Sequence, residues 1–353
     1  MTQWCLHIGS EKTGSSHLQS LLALSRGRLE QLGICFPLGW AHDERCMRTG
    51  QVSAGNARLL ARALSENDLE SARRLIRQAA ETALRQGATR IILASEWLLQ
   101  PLSRPAGLKQ LLALLREVSA TSVSVLLVLR DPLDQCLSLY KHRAKRGTAG
   151  DIENWLATGY RLPKYLGMFR AQVEGACLNL QVRKYVRSPG ALDRMFFEDW
   201  LGIPAPDVKL PSTVNPSLTL SELVMIRQMA EIRTDLVLPL YEAMLRVPRK
   251  EKVQGTALED FAQAVAAQAV ASYKEEWAAW NDFLPEGQKL IIPRLTDTIP
   301  ERPTELGFSE NQLETINRLI AEAATPRFMA KIFWRSRLRP SLGRVARILG
   351  VRK

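Results

Sequence analysis

The stretch Leu6 to Leu22, LHIGSEKTGSSHLQSLL, decides how the chain is read. Leu6 to Ile8 reads as the end of a short strand. Gly9 and Gly14 bracket four residues, Ser15 and Ser16 follow, and Leu18, Leu21 and Leu22 recur at helical spacing. A strand, a tight turn and the start of a helix therefore succeed one another. Glycine lets the backbone come close to an anion, and the first amides of a helix lack an intrahelical acceptor, so such a turn is a cradle for phosphate.

The spacing nearly matches the phosphate loop of nucleotide triphosphatases, where a lysine after the second glycine reaches the β and γ phosphates and the next hydroxyl holds magnesium. Here Ser15 follows Gly14, and the lysine is Lys12, in the crown of the loop. From there it meets the bridging oxygen of a bound phosphoanhydride. The run Lys12-Thr13-Gly14-Ser15-Ser16 resembles the first cofactor motif of the sulfotransferases that use 3′-phosphoadenosine 5′-phosphosulfate (PAPS), a lysine, a small residue, a glycine and two hydroxyl residues.

A second motif lies in Val123 to His142, VSVLLVLRDPLDQCLSLYKH. Val125 to Leu129 is unbroken and apolar, as in a strand buried on both faces of a parallel sheet. It ends in Arg130. Asp131 suits a helix cap with Pro132 at the first position, and Leu133, Leu137 and Tyr140 fall on one face while Gln135, Ser138 and His142 share another. An arginine at a strand's carboxyl end and a serine two turns into the next helix can converge on one anion in the crevice where open α/β sheets bind ligands. Arg130 and Ser138 have the spacing of the arginine and serine that hold the 3′-phosphate in the sulfotransferases' second motif.

The resemblance implies a transfer of sulfonate from PAPS to an acceptor oxygen or nitrogen. It assigns Lys12 to the leaving oxygen, the amides of Thr13, Gly14, Ser15 and Ser16 with the two serine hydroxyls to the 5′-phosphate, and Arg130 and Ser138 to the 3′-phosphate. The transferred group carries less charge than a phosphoryl group, so hydrogen bonds and one lysine suffice without a metal. An alcohol acceptor also needs a general base. Glu96, which follows the buried strand Ile91 to Ala94, is the first candidate. His42, of near-neutral pKa in a loop with Trp40 and Asp43, is the second, and His17 the third. Trp40 and Trp97 are candidates to stack on adenine or a sugar, or packing residues. The family's late glycine-rich basic segment has no counterpart here; Arg183, Lys184 and Arg187, or Asn215 and Ser217, are the replacements to consider.

With 353 residues, 46% hydrophobic and 24% charged, the chain has the composition of a soluble globular protein. No apolar run approaches the roughly 20 residues of a membrane span, and Trp4 to Ile8 leads directly into the phosphate loop rather than forming a signal peptide, so a cytoplasmic protein is expected. The five cysteines are scattered and the four histidines dispersed, which points to reduced, mostly buried thiols and to no metal site.

Strand and helix patterns alternate through the first 200 residues, the sign of a P-loop-like parallel β-sheet flanked by helices. Helices are expected at Asn56 to Leu64, Asp68 to Gln86, Gly107 to Val118, Asp151 to Ala157, Pro163 to Glu174 and Ala191 to Leu201. Further strands are expected within Gly33 to Pro37 and Leu178 to Tyr185. After a proline-punctuated loop come the helical patterns Leu220 to Leu245, Thr256 to Trp280 and Glu310 to Ala324, a helical C-terminal extension. The division read from this is an α/β core over 1–205, a helical subdomain or lid over 206–330 and a basic tail over 331–353.

The net charge is +12, and the last 23 residues hold eight lysines and arginines and no acid. Interleaved with Phe333, Trp334 and aliphatic residues, these suit an interfacial helix on the inner, anionic face of a membrane, although Pro340 and Gly343 interrupt it. A solvated basic end is the plain alternative, and no motif favours nucleic acid. The acceptor is expected among small molecules, glycans and lipid-linked glycans. The competing readings are a magnesium-dependent P-loop phosphotransferase and a non-catalytic peripheral membrane module.

Overall fold

The computed structural model describes residues 2–37, 39–145, 149–210, 218–253, 255–295, 298–323 and 325. The basic tail, Asn215 and Ser217 lie outside the described residues.

In chain order the elements are β1 (Thr2–His7), α1 (Ser15–Leu24), α2 (Arg26–Gln31), β2 (Ile34–Cys35), α3 (Ala41–Arg48), α4 (Arg58–Ser65), α5 (Leu69–Arg85), β3 (Arg90–Ala94), α6 (Leu99–Ser103), α7 (Gly107–Glu117), β4 (Ala120–Leu129), α8 (Pro132–Lys145), α9 (Ile152–Thr158), α10 (Leu162–Val173), β5 (Asn179–Lys184), the short turn α11 (Ala191–Asp193), α12 (Leu220–Ile232), α13 (Thr234–Arg246), α14 (Ala257–Ala271), α15 (Lys274–Asn281) and α16 (Glu310–Ala323). The five strands form one all-parallel sheet in the order β2-β3-β1-β4-β5. The α/β fold expected from the alternating pattern is present.

The chain divides into two compact units. One comprises Met1–Gln135, Arg161–Asn215 and Tyr273–Ile292, the other Cys136–Tyr160, Pro216–Ser272 and Pro293–Lys353. The first contains the sheet. Val123 to Leu129 of β4 are all buried, as the unbroken apolar run requires of a central strand. Leu18, Leu21 and Leu22 of α1 pack in one core with Ile92, Leu126, Val128, Phe196, Phe197 and Trp200. Trp277 and Trp280 of α15 are also fully buried, and Phe169 of α10 stacks on Trp280 with ring centroids 6.4 Å apart. The sheet unit thus takes in a segment well beyond residue 205.

The second unit is helical. Thr219 and Glu222 make a reciprocal capping box at the start of α12, and the buried Glu222 also accepts from Lys252 at 2.9 Å and from Gln312 at 2.8 Å. Such a carboxylate is tolerable in an interior only because every oxygen is spoken for. Around α9, the rings of Tyr140, Trp155 and Tyr160 follow one another at 5.6 Å.

Several local expectations need correcting. The segment around His42, read as a loop, is the helix α3. Leu220 to Leu245 is two helices parted at Arg233, and Thr256 to Trp280 is two parted at Ser272 and Tyr273. The Ala191 to Leu201 helix is a short turn running into a wider π turn over Arg194–Trp200. On α8 the expected apolar stripe does not set the burial: Gln135, Cys136, Leu139 and Tyr140 are buried while Leu133 and Leu137 are only partly so.

Candidate functional site

β1 runs up the middle of the sheet between β3 and β4. The segment leaving its carboxyl end is therefore flanked by Ser95 and Glu96 on one side and by Arg130 on the other. Parallel sheets present ligand crevices at this edge.

The loop between β1 and α1 is pinned to both neighbours. The His7 carbonyl accepts from the Ser95 amide at 3.0 Å, the Ile8 amide donates to Leu126 at 3.0 Å and the Ser10 amide to Val128 at 3.1 Å. The Ser10 hydroxyl donates to that same Val128 carbonyl at 3.1 Å, and the Thr13 hydroxyl donates to the Ser10 carbonyl at 2.6 Å. From the β4 side, the buried Gln135 donates to the Glu11 carbonyl at 3.2 Å and Arg130 Nη1 to the Lys12 carbonyl at 3.5 Å.

Lys12 and Gly14 take left-handed backbone, with φ of 70° and 84°, and Thr13 between them does not. Such alternation curls successive amides into a concave, anion-receiving row. At Gly14 a Cβ would also meet Leu192 Cδ2 and lie 3.3 Å from the Tyr185 ring, so glycine is favoured there by its backbone and leaves room for both side chains. Gly9 has a different reason: a Cβ there would sit 2.9 Å from the His7 ring and 3.1 Å from the Thr13 hydroxyl. α1 begins at Gly14 with no side-chain cap and no acid in its first turn, which leaves its positive end uncompensated. The Ser15 hydroxyl is buried there without a hydrogen-bond partner among the described residues. A loop with left-handed backbone at Lys12 and Gly14, an uncapped helix start, an orphan buried hydroxyl at Ser15 and a lysine in its crown fits a phosphate.

Arg130 is 6% exposed. Its guanidinium reaches Asp134 Oδ2 at 3.0 Å and stands 5.8 Å from the Tyr185 ring. Asp131, read as a helix cap, accepts the Gln135 amide on its backbone carbonyl, while its carboxylate accepts from Lys184 at 2.7 Å and from the Ile291 amide at 2.8 Å. Ser138 lies further along α8, on the part of the helix that belongs to the second unit.

The structure brings some candidates to the loop and not others. Glu96 opens a 3₁₀ turn directly after β3, the strand beside β1; Ser95 caps that turn by accepting the Trp97 amide. His17 Nε2 pairs with Asp193 Oδ1 at 2.7 Å, an arrangement that leaves its other ring nitrogen to act as a base. His42 is exposed on α3, 3.7 Å from Cys46 Sγ and 5.3 Å from the Trp40 ring. Trp40 and Trp97 sandwich the Arg58 guanidinium at 4.7 and 4.8 Å, so each has one face covered by a cation held by the buried Asp43 at 3.4 Å.

His7 was not singled out by sequence reasoning. It is fully buried at the last position of β1, both ring nitrogens lack hydrogen-bond partners among the described residues, and its ring meets Phe196 edge-on at 5.3 Å. Burial pushes its pKa down to about 4, so the ring is neutral. The only available signal was a polar residue closing an apolar strand immediately before the loop.

Among the described residues no three His, Cys, Asp or Glu side chains group as metal ligands. The five cysteines are free thiols, four of them buried. No helix among the described residues is long and apolar enough to cross a membrane. No family model, curated protein or solved structure matches the chain.

Proposed function

We propose that this chain is a sulfotransferase that moves a sulfonate group from PAPS to an acceptor hydroxyl, with a glycan or lipid-linked glycan as the favoured acceptor class. One observation carries the reading. The Arg130 guanidinium lies 3.5 Å from the Lys12 carbonyl, so the two motifs of the sequence lie side by side after the carboxyl ends of adjacent strands, which supports this reading. PAPS has an anion near each end of its ribose, and a lysine loop beside a buried arginine offers a partner for each.

In this proposal the Thr13 to Ser16 amides and the Ser15 hydroxyl hold the 5′-phosphate, and Arg130 holds the 3′-phosphate. Lys12 donates to the bridging oxygen while the sulfur–oxygen bond to the phosphate breaks, and so stabilises the charge that collects there. The acceptor oxygen forms the new bond to sulfur and its proton passes to Glu96, in the turn that follows β3, the strand on the other side of β1 from β4 and Arg130. His42, the second candidate base, lies on α3.

Isothermal titration with adenosine 3′,5′-bisphosphate and with ATP, each with and without magnesium, tests the proposal. Tight binding of the bisphosphate in the absence of magnesium is the expected result. Preference for ATP with magnesium would replace it with a P-loop phosphotransferase, and no nucleotide binding would leave the peripheral membrane module.

A further inference from the structure

We propose that Arg187 is the second arm of the Arg130 anion clamp, and that Asp134 is a resident counter-ion which an incoming phosphate displaces. Asp134 Oδ2 lies 3.0 Å from Arg130 Nη2 and 3.5 Å from Arg187 Nη2. Two guanidinium groups from separate elements thus converge on one oxygen. Like charges brought this close are stable only around an anion.

The sheet explains how they meet. β4 and β5 are paired with Leu129 opposite Lys184, so Arg130 and the segment Tyr185 to Arg187 leave adjacent strand ends at the same level. The two bases at the end of β5, just before that segment, are engaged elsewhere. Arg183 donates to the Val182 carbonyl and to Gln181, each at 3.1 Å, and Lys184 binds Asp131 at 2.7 Å and the Lys289 carbonyl at 2.9 Å. Arg187 alone among the three reaches the carboxylate that Arg130 holds.

The three partners differ in how easily they move. The Arg130 side chain is 8% exposed and fixed, whereas those of Asp134 and Arg187 are 55% and 58% exposed. Asp134 and Arg187 can therefore swing outward without unpacking anything. A phosphate dianion brings more charge and more acceptor oxygens to the same two forks. The carboxylate keeps the arginines apart from weaker anions until such a ligand arrives.

The identity of the ligand rests on the sulfotransferase reading; the clamp itself does not. Binding of adenosine 3′,5′-bisphosphate, of 5′-AMP and of inorganic phosphate is measured by calorimetry on the wild-type chain, Asp134→Asn, Asp134→Ser and Arg187→Gln, with circular dichroism to show that each variant is folded. Both Asp134 variants are expected to bind the bisphosphate and inorganic phosphate roughly two- to fivefold more tightly, the size of an exposed ion pair removed from competition. Arg187→Gln is expected to bind both about fivefold more weakly. Affinity for 5′-AMP, which lacks the second phosphate, is expected to stay unchanged. Unchanged or weaker phosphate binding in both Asp134 variants would overturn the proposal and make Asp134 a strut for Arg130. Tighter inorganic phosphate binding with no bisphosphate binding in any chain would keep the clamp and remove the nucleotide reading.

Discussion

Lys12 is held with φ of 70°, a conformation that costs a non-glycine residue about 1 kcal/mol. Alanine bears the same backbone cost, so Lys12→Ala removes the ammonium group without changing the strain. Its turnover is expected to fall at least about 100-fold, the scale of losing one charge-stabilising donor, with the thermal midpoint held. Undiminished turnover would dismiss Lys12 from the reaction. His7 makes a separate prediction. Its folded pKa of about 4 lies below the ordinary 6.5. Between those values the unfolded chain binds a proton that the folded chain does not, so stability falls as pH drops from about 6.5 to 4 and then levels off. The loss by pH 4 is of the order of 3 kcal/mol. Urea unfolding at pH 7, 5.5 and 4, with an NMR titration of the His7 ring, measures it; a ring titrating near 6.5 in the folded protein would contradict the account. The burial of His7 was not legible in the sequence, because a histidine ending an apolar strand looks the same whether its ring is buried or wet.

At the scale of elements, what the sequence showed was whatever is local. The strand, loop and helix from β1 to α1 lie within one short stretch, as do the buried run of β4 and Arg130 after it, so spacing alone placed them. α3 was missed because its buried face carries Asp43 beside Cys46 and Met47, and a carboxylate reads as a surface residue. Its burial is made tolerable by Arg58 and the Ala54 amide, both at 3.4 Å and both distant in sequence. The apolar stripe of α8 misled for a similar reason: Gln135 is buried because it ties down the Glu11 carbonyl, a loop over a hundred residues earlier. The uncapped start of α1 also makes a prediction. Amides of Thr13 to Ser16 that receive a phosphate exchange their hydrogens more slowly. Hydrogen exchange with adenosine 3′,5′-bisphosphate and no magnesium is expected to protect this stretch. Protection confined to other parts of the chain would place the ligand elsewhere.

At the scale of the whole molecule, the chain does not fold as its composition divides it. A core ended near residue 205 would omit Tyr273–Ile292, which belongs to the sheet unit. That segment contributes Trp277 and Trp280, both essentially inaccessible, and places Phe283 5.3 Å from the Trp280 ring. It also receives Lys184 on the Lys289 carbonyl and binds Asp131 through the Ile291 amide. Removing one buried tryptophan side chain costs about 3 to 5 kcal/mol, and a domain has only about 5 to 15 to lose. A chain of residues 1–205 is therefore expected to lack a cooperative unfolding transition, although it carries all five strands of the described residues and the entire loop between β1 and α1. Circular dichroism against temperature, comparing 1–205 with the full chain, decides it. A sharp transition in the short chain within a few degrees of the full-length midpoint would mean that the two tryptophans cover the sheet unit without supporting it.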